Sequence, residues 1–218
     1  MIKLKNVEKK YRRGAEEVRA LRGIDLEIQA GEFVSVIGPS GAGKTTLLHI
    51  LGCLDLPSSG EMHFDGLRVD KMRESELVTL RRNKIGFIFQ QFYLIPGLSV
   101  LDNIALPLMF SKSKPAPGRI EELARAVGLG ERLHHVPAQL SGGEMQRTAI
   151  ARALVNDPEV ILADEPTGNL DSANSEKIFD ILHKLHQNGL TVIMITHNPE
   201  LAERAGRTIT IKDGIIEQ

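Results

Sequence analysis

The chain has 218 residues, 42% of them hydrophobic, and its 27 basic and 28 acidic residues leave a formal net charge of −1. That is enough apolar mass to bury a core as one compact domain, and the charge balance, without a dense Lys/Arg block, gives no electrostatic footprint for a nucleic-acid backbone. The single cysteine, Cys53, excludes an internal disulfide framework and has no neighbours of metal-ligand or nucleophile type, so it reads as a core thiol in a reducing cytoplasm.

In chain order, MIKLKNVEKKYRRG lacks the apolar segment of a secretory signal, and nothing later approaches the roughly 20 apolar residues that span a bilayer. Work at a membrane would therefore need another chain to supply the span. IKLKNV, LRGIDLEI and GEMHFDG alternate with the period of strands and suggest an antiparallel layer. FVSVIG at 33–38, IGFIF at 85–89, VILAD at 160–164 and TVIMIT at 191–196 are short, apolar, β-branched runs that read as buried strands. The stretch 92–157 reads mostly as helix, with RIEELARAVG and EMQRTAIARALV as its clearest segments and SKSKPAPG at 111–118 as a polar, Pro-rich loop. In SANSEKIFDILHKLHQNG, Ile178, Ile181, Leu182 and Leu185 fall at i, i+3, i+4 and i+7, with Gly189 as a C-terminal stop. TITIKDGII places Asp213-Gly214 between alternating residues like a hairpin turn, and is grouped here with the antiparallel layer. The expected fold is α/β: a parallel, helix-covered core with an N-terminal antiparallel β layer and an inserted α-helical subdomain. The expected organisation is one domain over 1–218, with 1–91 and 158–218 forming the core and 92–157 the insertion. The histidine pairs His134-His135 and His183/His186 lack a metal-like context and read as solvated.

Three clusters carry chemistry. The strand FVSVIG runs into Gly38-Pro39-Ser40-Gly41-Ala42-Gly43-Lys44-Thr45 and then into the helix TLLHIL, a complete P-loop in the right structural setting. Its glycines let main-chain N–H groups converge on phosphate oxygens at a helix N-terminus, Lys44 neutralises β/γ charge, and Thr45 offers a hydroxyl to Mg²⁺. VILADEP delivers Asp164 and Glu165 at a strand's carboxyl end, where open α/β sheets bind ligands. Asp164 is the expected magnesium-shell carboxylate, and Glu165 is the candidate for polarising an attacking water. In LSGGEMQR, Ser141 and Glu144 form the pattern of a capping box. That leaves Gly142-Gly143 unexplained, because Gly costs about 1 kcal/mol against Ala inside a helix. Bare backbone at a helix start suits the close approach of an anion.

GPSGAGKTT, the Gln of FIFQQ, LSGGE, VILADEP, GNLD and ITHN stand in the order and spacing of the ATP-binding-cassette (ABC) nucleotide-binding domains, and together they span nearly the whole chain. The chain thus resembles an ABC nucleotide-binding subunit with a P-loop NTPase, RecA-like core. GCLDLPSSGE, IGFIFQQFYLIPGLSVLDNI and ILADEPTGNLD resemble the lipoprotein-release and macrolide-efflux branch. The resemblance implies ATP and Mg²⁺ as ligands, Gln90 rather than Gln91 as the residue that senses the metal, and Thr46 within the nucleotide cradle. It implies His197 as a switch histidine on the γ-phosphate and Asp171 as a loop residue crossing between protomers. Gly168-Asn169 stands where many relatives have a Ser-Ala-like pair. Tyr11 sits where the family places an aromatic ring against adenine; a tyrosine at a strand end also serves as plain packing.

Ser141 is separated from the P-loop by the whole helical insertion, and the resemblance implies a head-to-tail homodimer in which Ser141, Gly142, Gly143 and Glu144 cover the ATP of the partner. ATP would favour the closed pair, and hydrolysis would release it. Glu144 stands where the family more often has Gln. A full negative charge about 6 Å from phosphate at an effective dielectric near 20 costs roughly 3 kcal/mol, so Glu144 is expected to turn back into its capping box or toward ribose hydroxyls. The resemblance also implies a transmembrane permease subunit, docked on FYLIPGLSVLDNIALPLMF, which would hold the chain peripherally at the cytoplasmic face of the membrane. By composition alone that segment serves equally as a subdomain core. Two other functions compete: an ATP-gated regulatory switch on a membrane protein, and a cytosolic ABC ATPase of DNA repair or translation. The last needs a coiled-coil insertion, a second cassette or basic arms, none of which the sequence contains.

Overall fold

The computed structural model describes residues 1–14, 16–111 and 116–217. Strands β1 (Ile2–Arg13) and β2 (Glu16–Ile28) pair antiparallel, and β4 (Ser59–Phe64) joins the other edge of β1, followed by the short β5 (Leu67–Arg68). The register sets Ile2 against both Ile28 and Phe64, and Leu4 against both Leu26 and Met62. Strand alternation therefore gathers these apolar side chains on one buried face and leaves the lysines and glutamates between them in solvent.

A second sheet carries β10 (Ile215–Glu217), β9 (Arg207–Lys212), β3 (Phe33–Ile37), β8 (Thr191–Ile195), β7 (Val160–Asp164) and β6 (Ile85–Phe89) in that spatial order. All neighbours run parallel except β9 and β10. β7 and β8 are almost wholly buried, as the apolar runs require of strands covered on both faces. The Asp213-Gly214 turn has both residues at positive φ, 49° and 79°, as a two-residue hairpin demands. This hairpin belongs to the parallel sheet, where β9 lies alongside β3, and not to the N-terminal layer with which its alternation had grouped it. Its turn has a structural use: Gly214 N–H donates to Ala42 O (3.0 Å), and Arg22 N–H donates to Gly214 O (2.8 Å), so the C-terminal hairpin ties the P-loop to β2.

Helices α1 (Lys44–Leu51), α2 (Glu74–Lys84), α3 (Val100–Ala105), α4 (Arg119–Ala126), α5 (Gly142–Leu154), α6 (Ser172–Gln187) and α7 (Pro199–Glu203) complete the architecture. α6 stops where its sequence says it must: Gly189 has φ 92°, its N–H donates to His186 O, and Leu190 N–H donates to Leu185 O, the paired bonds of a glycine C-terminal cap. The helix α2 has no counterpart among the sequence expectations, because its eleven residues ESELVTLRRNK bury only Leu77 and carry almost no apolar stripe. It is held instead by Arg81, which donates to Cys53 O (2.6 Å) and Glu74 (2.6 Å). Cys53 is buried as expected, and burial pushes its thiol up to about 12, which makes it inert.

Two apolar clusters sandwich the parallel sheet. One joins the antiparallel layer and α1 to one face through Leu47, Leu48, Leu162 and Ile193; the other joins α3 to α6 to the opposite face through Ile104, Ile150, Ile161 and Phe179. The segment 92–157 therefore shares its core with β6, β7 and β8. Residues 112–115 of the Pro-rich loop lie outside the described residues. His183 and His186 are only partly solvated: both are half-buried, the His186 ring tilts against Phe33 at 5.7 Å, and His183 stacks on Phe179 at 6.1 Å. Positions 179, 183 and 186 follow a helical period along the buried stripe, which turns both imidazoles inward. Among the described residues no helix is long and apolar enough to cross a membrane.

Candidate nucleotide site

Four parallel strands bring the motifs to one edge. In register, Phe89 pairs with Asp164, Asp164 with Ile195, and Ile195 with Val36, so β6, β7, β8 and β3 end at one level. The residues that follow are Gln90, Glu165, Thr196-His197 and the P-loop. With neighbouring strands about 4.8 Å apart, the carboxyl edge of the sheet gathers all four within about 15 Å.

The P-loop is shaped by close approaches. A Cβ at Gly38 (φ 151°) would sit 2.0 Å from Ile211 O, and one at Gly43 (φ 105°) 2.5 Å from Ala20 O. Gly43 caps α1 without a side-chain acceptor. Among the described residues, the N–H groups of Lys44, Thr45 and Thr46 find no acceptor outside the helix, and they form an open donor end of the kind that suits phosphate. Lys44 is 5% exposed, and its ammonium donates to Gly38 O and Pro39 O, both at 2.9 Å. It thus spans the loop it would otherwise share with a nucleotide.

Asp164 is half-buried; burial first, and then the neighbouring Glu165 charge, raise its carboxyl above the usual range, with the Thr45 hydroxyl opposing them. Glu165 stands at φ 47°, a left-handed conformation uncommon outside glycine, pinned by Glu165 N–H to Ile195 O and Gly168 N–H to Glu165 O, both 3.0 Å. Its Oε1 lies 2.8 Å from His197 Nε2, so the proposed base and switch histidine are in contact. Thr45, Asp164 and Gln90 supply a hydroxyl, a carboxylate and an amide oxygen. This is a hard-oxygen set suited to Mg²⁺, and the raised Asp164 carboxyl marks a place that a cation would relieve.

Gln90 is gripped by Gly168 and Asn169. Asn169 Nδ2 donates to Gln90 O (3.0 Å), Gln90 Nε2 donates to Asn169 Oδ1 (3.4 Å), and a Cβ at Gly168 would fall 2.8 Å from Gln90 Nε2. Asp171 caps α6, accepting from Asn174 N–H and Asn174 Nδ2, both 2.8 Å, and these bonds hold its carboxyl below the usual range. Tyr11 is 38% exposed and donates to Asp55 Oδ2 at 2.9 Å, with Lys9 Nζ 5.0 Å from the ring centre. Burial and Asp55 raise its phenol, while the Thr46 side chain opposes them, which places the ring beside the P-loop helix.

Ser141 opens α5 as a full capping box: its Oγ accepts from Glu144 N–H (3.3 Å), and Glu144 Oε2 accepts from Ser141 N–H (2.9 Å) and Ser141 Oγ (2.9 Å). Glu144 Oε1 also accepts from Arg132 Nε at 3.0 Å, and the Ser141 backbone bond followed by Arg132 draws its carboxyl down to about 2. Glu144 is thus turned back, as its charge required, and paired with a cation that sequence spacing did not disclose. One expectation needs revision. A Cβ at Gly143 would meet Asn174 Oδ1 at 2.5 Å, so the close approach that excludes a side chain there comes from the same chain. A Cβ at Gly142 would meet only flexible or ordinary-distance side-chain atoms among the described residues, the end of Leu170 at 3.3 Å and the Phe92 ring edge at 3.9 Å, so it is the more open glycine. Among the described residues no hydrogen bond or ion pair joins 141–144 to the P-loop.

The profile of the family described as ABC transporter matches residues 21–168. A macrolide export ATP-binding/permease protein MacB of Bdellovibrio bacteriovorus is 48% identical over 217 residues, covering 100% of this chain and 33% of that protein. An uncharacterized ABC transporter ATP-binding protein of Thermotoga maritima is 49% identical over 219 residues, covering 100% and 94%. Among solved structures, the dimeric post-hydrolysis state of the ATP-binding cassette MJ0796 bound to ADP and Pi superposes with a TM-score of 0.92 at 47% identity, over 100% of this chain and 97% of that one. The chain therefore spans a third of the macrolide-export relative and nearly all of the other two.

Proposed function

Because the chain belongs to the ABC transporter family of ATP-binding proteins, we propose that it is an ATPase subunit that closes head to tail with a second copy over two ATPs and thereby moves a separate transmembrane subunit. The observation that carries this reading is the split site: P-loop, Asp164–Glu165, His197 and Gln90 share one sheet edge, while the donor-bearing start of α5 is held on the helical side with its charge neutralised internally. The dimeric form of the MJ0796 cassette supports the same assembly.

In this reading Tyr11 lies against adenine, and Gly38 to Thr46 cradle the phosphates. Lys44 exchanges the Gly38 and Pro39 carbonyls for phosphate oxygens, a charge-assisted replacement for two neutral ones. Thr45, Asp164 and Gln90 would hold Mg²⁺, which supplies neutralisation of phosphate charge. Glu165 orients the attacking water, and His197, donating from the 2.8 Å contact, keeps the carboxylate in place until it turns to the γ-phosphate. Ser141, Gly142 and Gly143 meet the partner's phosphate, with Asp171 crossing between protomers. The segment 92–157 is the helical subdomain of a single domain, 1–91 and 158–218 its core.

The membrane partner has a fitting surface. The segment after Gln90 divides in two: Val100 and Ile104 are core, whereas Tyr93, Met109 and Phe110 are 61%, 77% and 73% exposed. Tyr93 and Phe110 line a groove of about 500 Å³ together with Arg81, Arg82 and Arg152 and, among the described residues, no acid, a shape and charge suited to a short helix bearing a carboxylate. Docking there would place the chain at the cytoplasmic face of the membrane. Transport is favoured over a purely regulatory switch by the macrolide-export relative, whose name joins an ATP-binding part to a permease. The direct test is phosphate release: Glu165→Gln should lose turnover by about 100-fold or more while still binding ATP. Undiminished hydrolysis would remove Glu165 from its role.

A further inference from the structure

Gln146, two residues beyond the signature stretch, has no part in the reactions assigned above, yet it is wholly buried. It lies in α5, one turn from Ser141, and its single amide nitrogen serves two carbonyls: Pro166 O at 2.7 Å and Phe89 O at 3.3 Å. Pro166 follows Glu165, and Phe89 precedes Gln90. One side chain on the signature helix therefore touches the main chain beside the proposed base and beside the proposed metal-sensing glutamine. The same helix holds the far side of the Gln90 loop, since Arg152 donates to Phe92 O (2.8 Å) and Tyr93 O (2.6 Å).

Stability alone is a poor reason for an amide there. Among the described residues Gln146 Oε1 is buried without a hydrogen-bond partner, a cost that an apolar side chain of equal length would avoid. What an apolar side chain cannot do is fix the Glu165-Pro166 carbonyl end relative to α5. Glu165 already sits in a left-handed conformation, where a small displacement of its neighbour changes the direction of its carboxylate.

We propose that Gln146 is a positioning residue that couples the start of α5 to Glu165 and Gln90 of the same chain, so that capture of the partner's phosphate by Ser141–Gly143 sets the geometry of hydrolysis at the chain's own ATP. This rests on the roles given above to Ser141 and Glu165. The bond that matters is donation to Pro166 O.

The test uses Gln146→Met, which fills the same length without a donor, and Gln146→Glu, which donates only while its carboxyl is protonated. Burial raises that carboxyl, so the Glu variant donates at low pH and loses its donor as pH rises. Expected for Gln146→Met are unchanged ATP affinity by calorimetry, an intact ATP-dependent dimer when combined with Glu165→Gln, an unchanged KM and a kcat at least 10-fold lower. Expected for Gln146→Glu is a phosphate-release rate that falls with rising pH along a limb the parent chain lacks. A Met variant with the parent kcat, or one whose ATP affinity or dimer falls in step with kcat, would overturn the coupling, as would a Glu variant with the parent pH profile. If Glu165→Gln itself hydrolyses normally, the assignment of the base fails; if Glu165→Gln is inert and Gln146→Met fully active, only Gln146 loses its role.

Discussion

Arg132 stands 3.0 Å from Glu144, and that ion pair decides whether a signature stretch with a carboxylate can face phosphate. Arg132→Ala would leave the charge uncompensated while the capping box survives, because Ser141 N–H and Oγ still donate to Oε2. At about 6 Å from the partner's phosphate, with an effective dielectric near 20, the bare charge costs roughly 3 kcal/mol. Arg132 and Glu144 side chains are 44% and 19% exposed, so solvent screening reduces this to about 1–2 kcal/mol, or about 10-fold in dimer affinity. The assay is ATP-dependent dimerisation in a Glu165→Gln background, followed by sedimentation. Arg132→Ala should weaken it by about that factor, and adding Glu144→Gln should restore it, since the amide still accepts from Ser141 N–H and carries no charge. A double variant no tighter than Arg132→Ala alone would refute the electrostatic account, because the loss would then come from the Arg132 segment itself.

Glu144 also enters the acid limb of stability. Its carboxyl is drawn from 4.5 to about 2 in the folded chain, so its contribution is complete above pH 4.5 and is lost as pH falls toward 2. Glu144→Gln should flatten the fall in urea-unfolding free energy between pH 5 and pH 2 by about 1–2 kcal/mol after screening; an identical acid limb would contradict this. Gly38→Ala should destabilise the chain by about 3 kcal/mol or more, because its Cβ meets the Ile211 carbonyl at 2.0 Å, and a denaturant midpoint equal to that of the parent would discredit the close approach. Lys44→Ala should lower ATP affinity about 10- to 100-fold by calorimetry, and unchanged binding would count against the P-loop assignment.

The strands were readable because they are short apolar runs, three of which lead directly into a glycine, an acid pair or a histidine, and a parallel strand covered on both faces has little other composition to offer. The capping box was readable because Ser141 and Glu144 are three residues apart, a local relation. What escaped depends on contacts distant in sequence. Arg132 meets Glu144 across a turn, Gly143 is constrained by Asn174 on another helix, and Gly214 reaches Ala42 from the far end of the chain. Asn169 lies 79 residues from Gln90 in sequence, so only the fold shows Asn169 holding Gln90 by main chain and side chain. α2 escaped for the opposite reason: with one buried residue it carries no periodic signal, and ion pairs to Arg81 and Arg73 hold it.

The measurement that bears most directly on the account is light scattering of the purified Glu165→Gln chain with and without ATP. The account predicts a monomer without nucleotide and a dimer with ATP, reverting to monomer when Ser141→Arg fills the start of α5. A chain that stays monomeric at saturating ATP, or a Ser141→Arg variant that dimerises as well as its parent, would contradict the clamp.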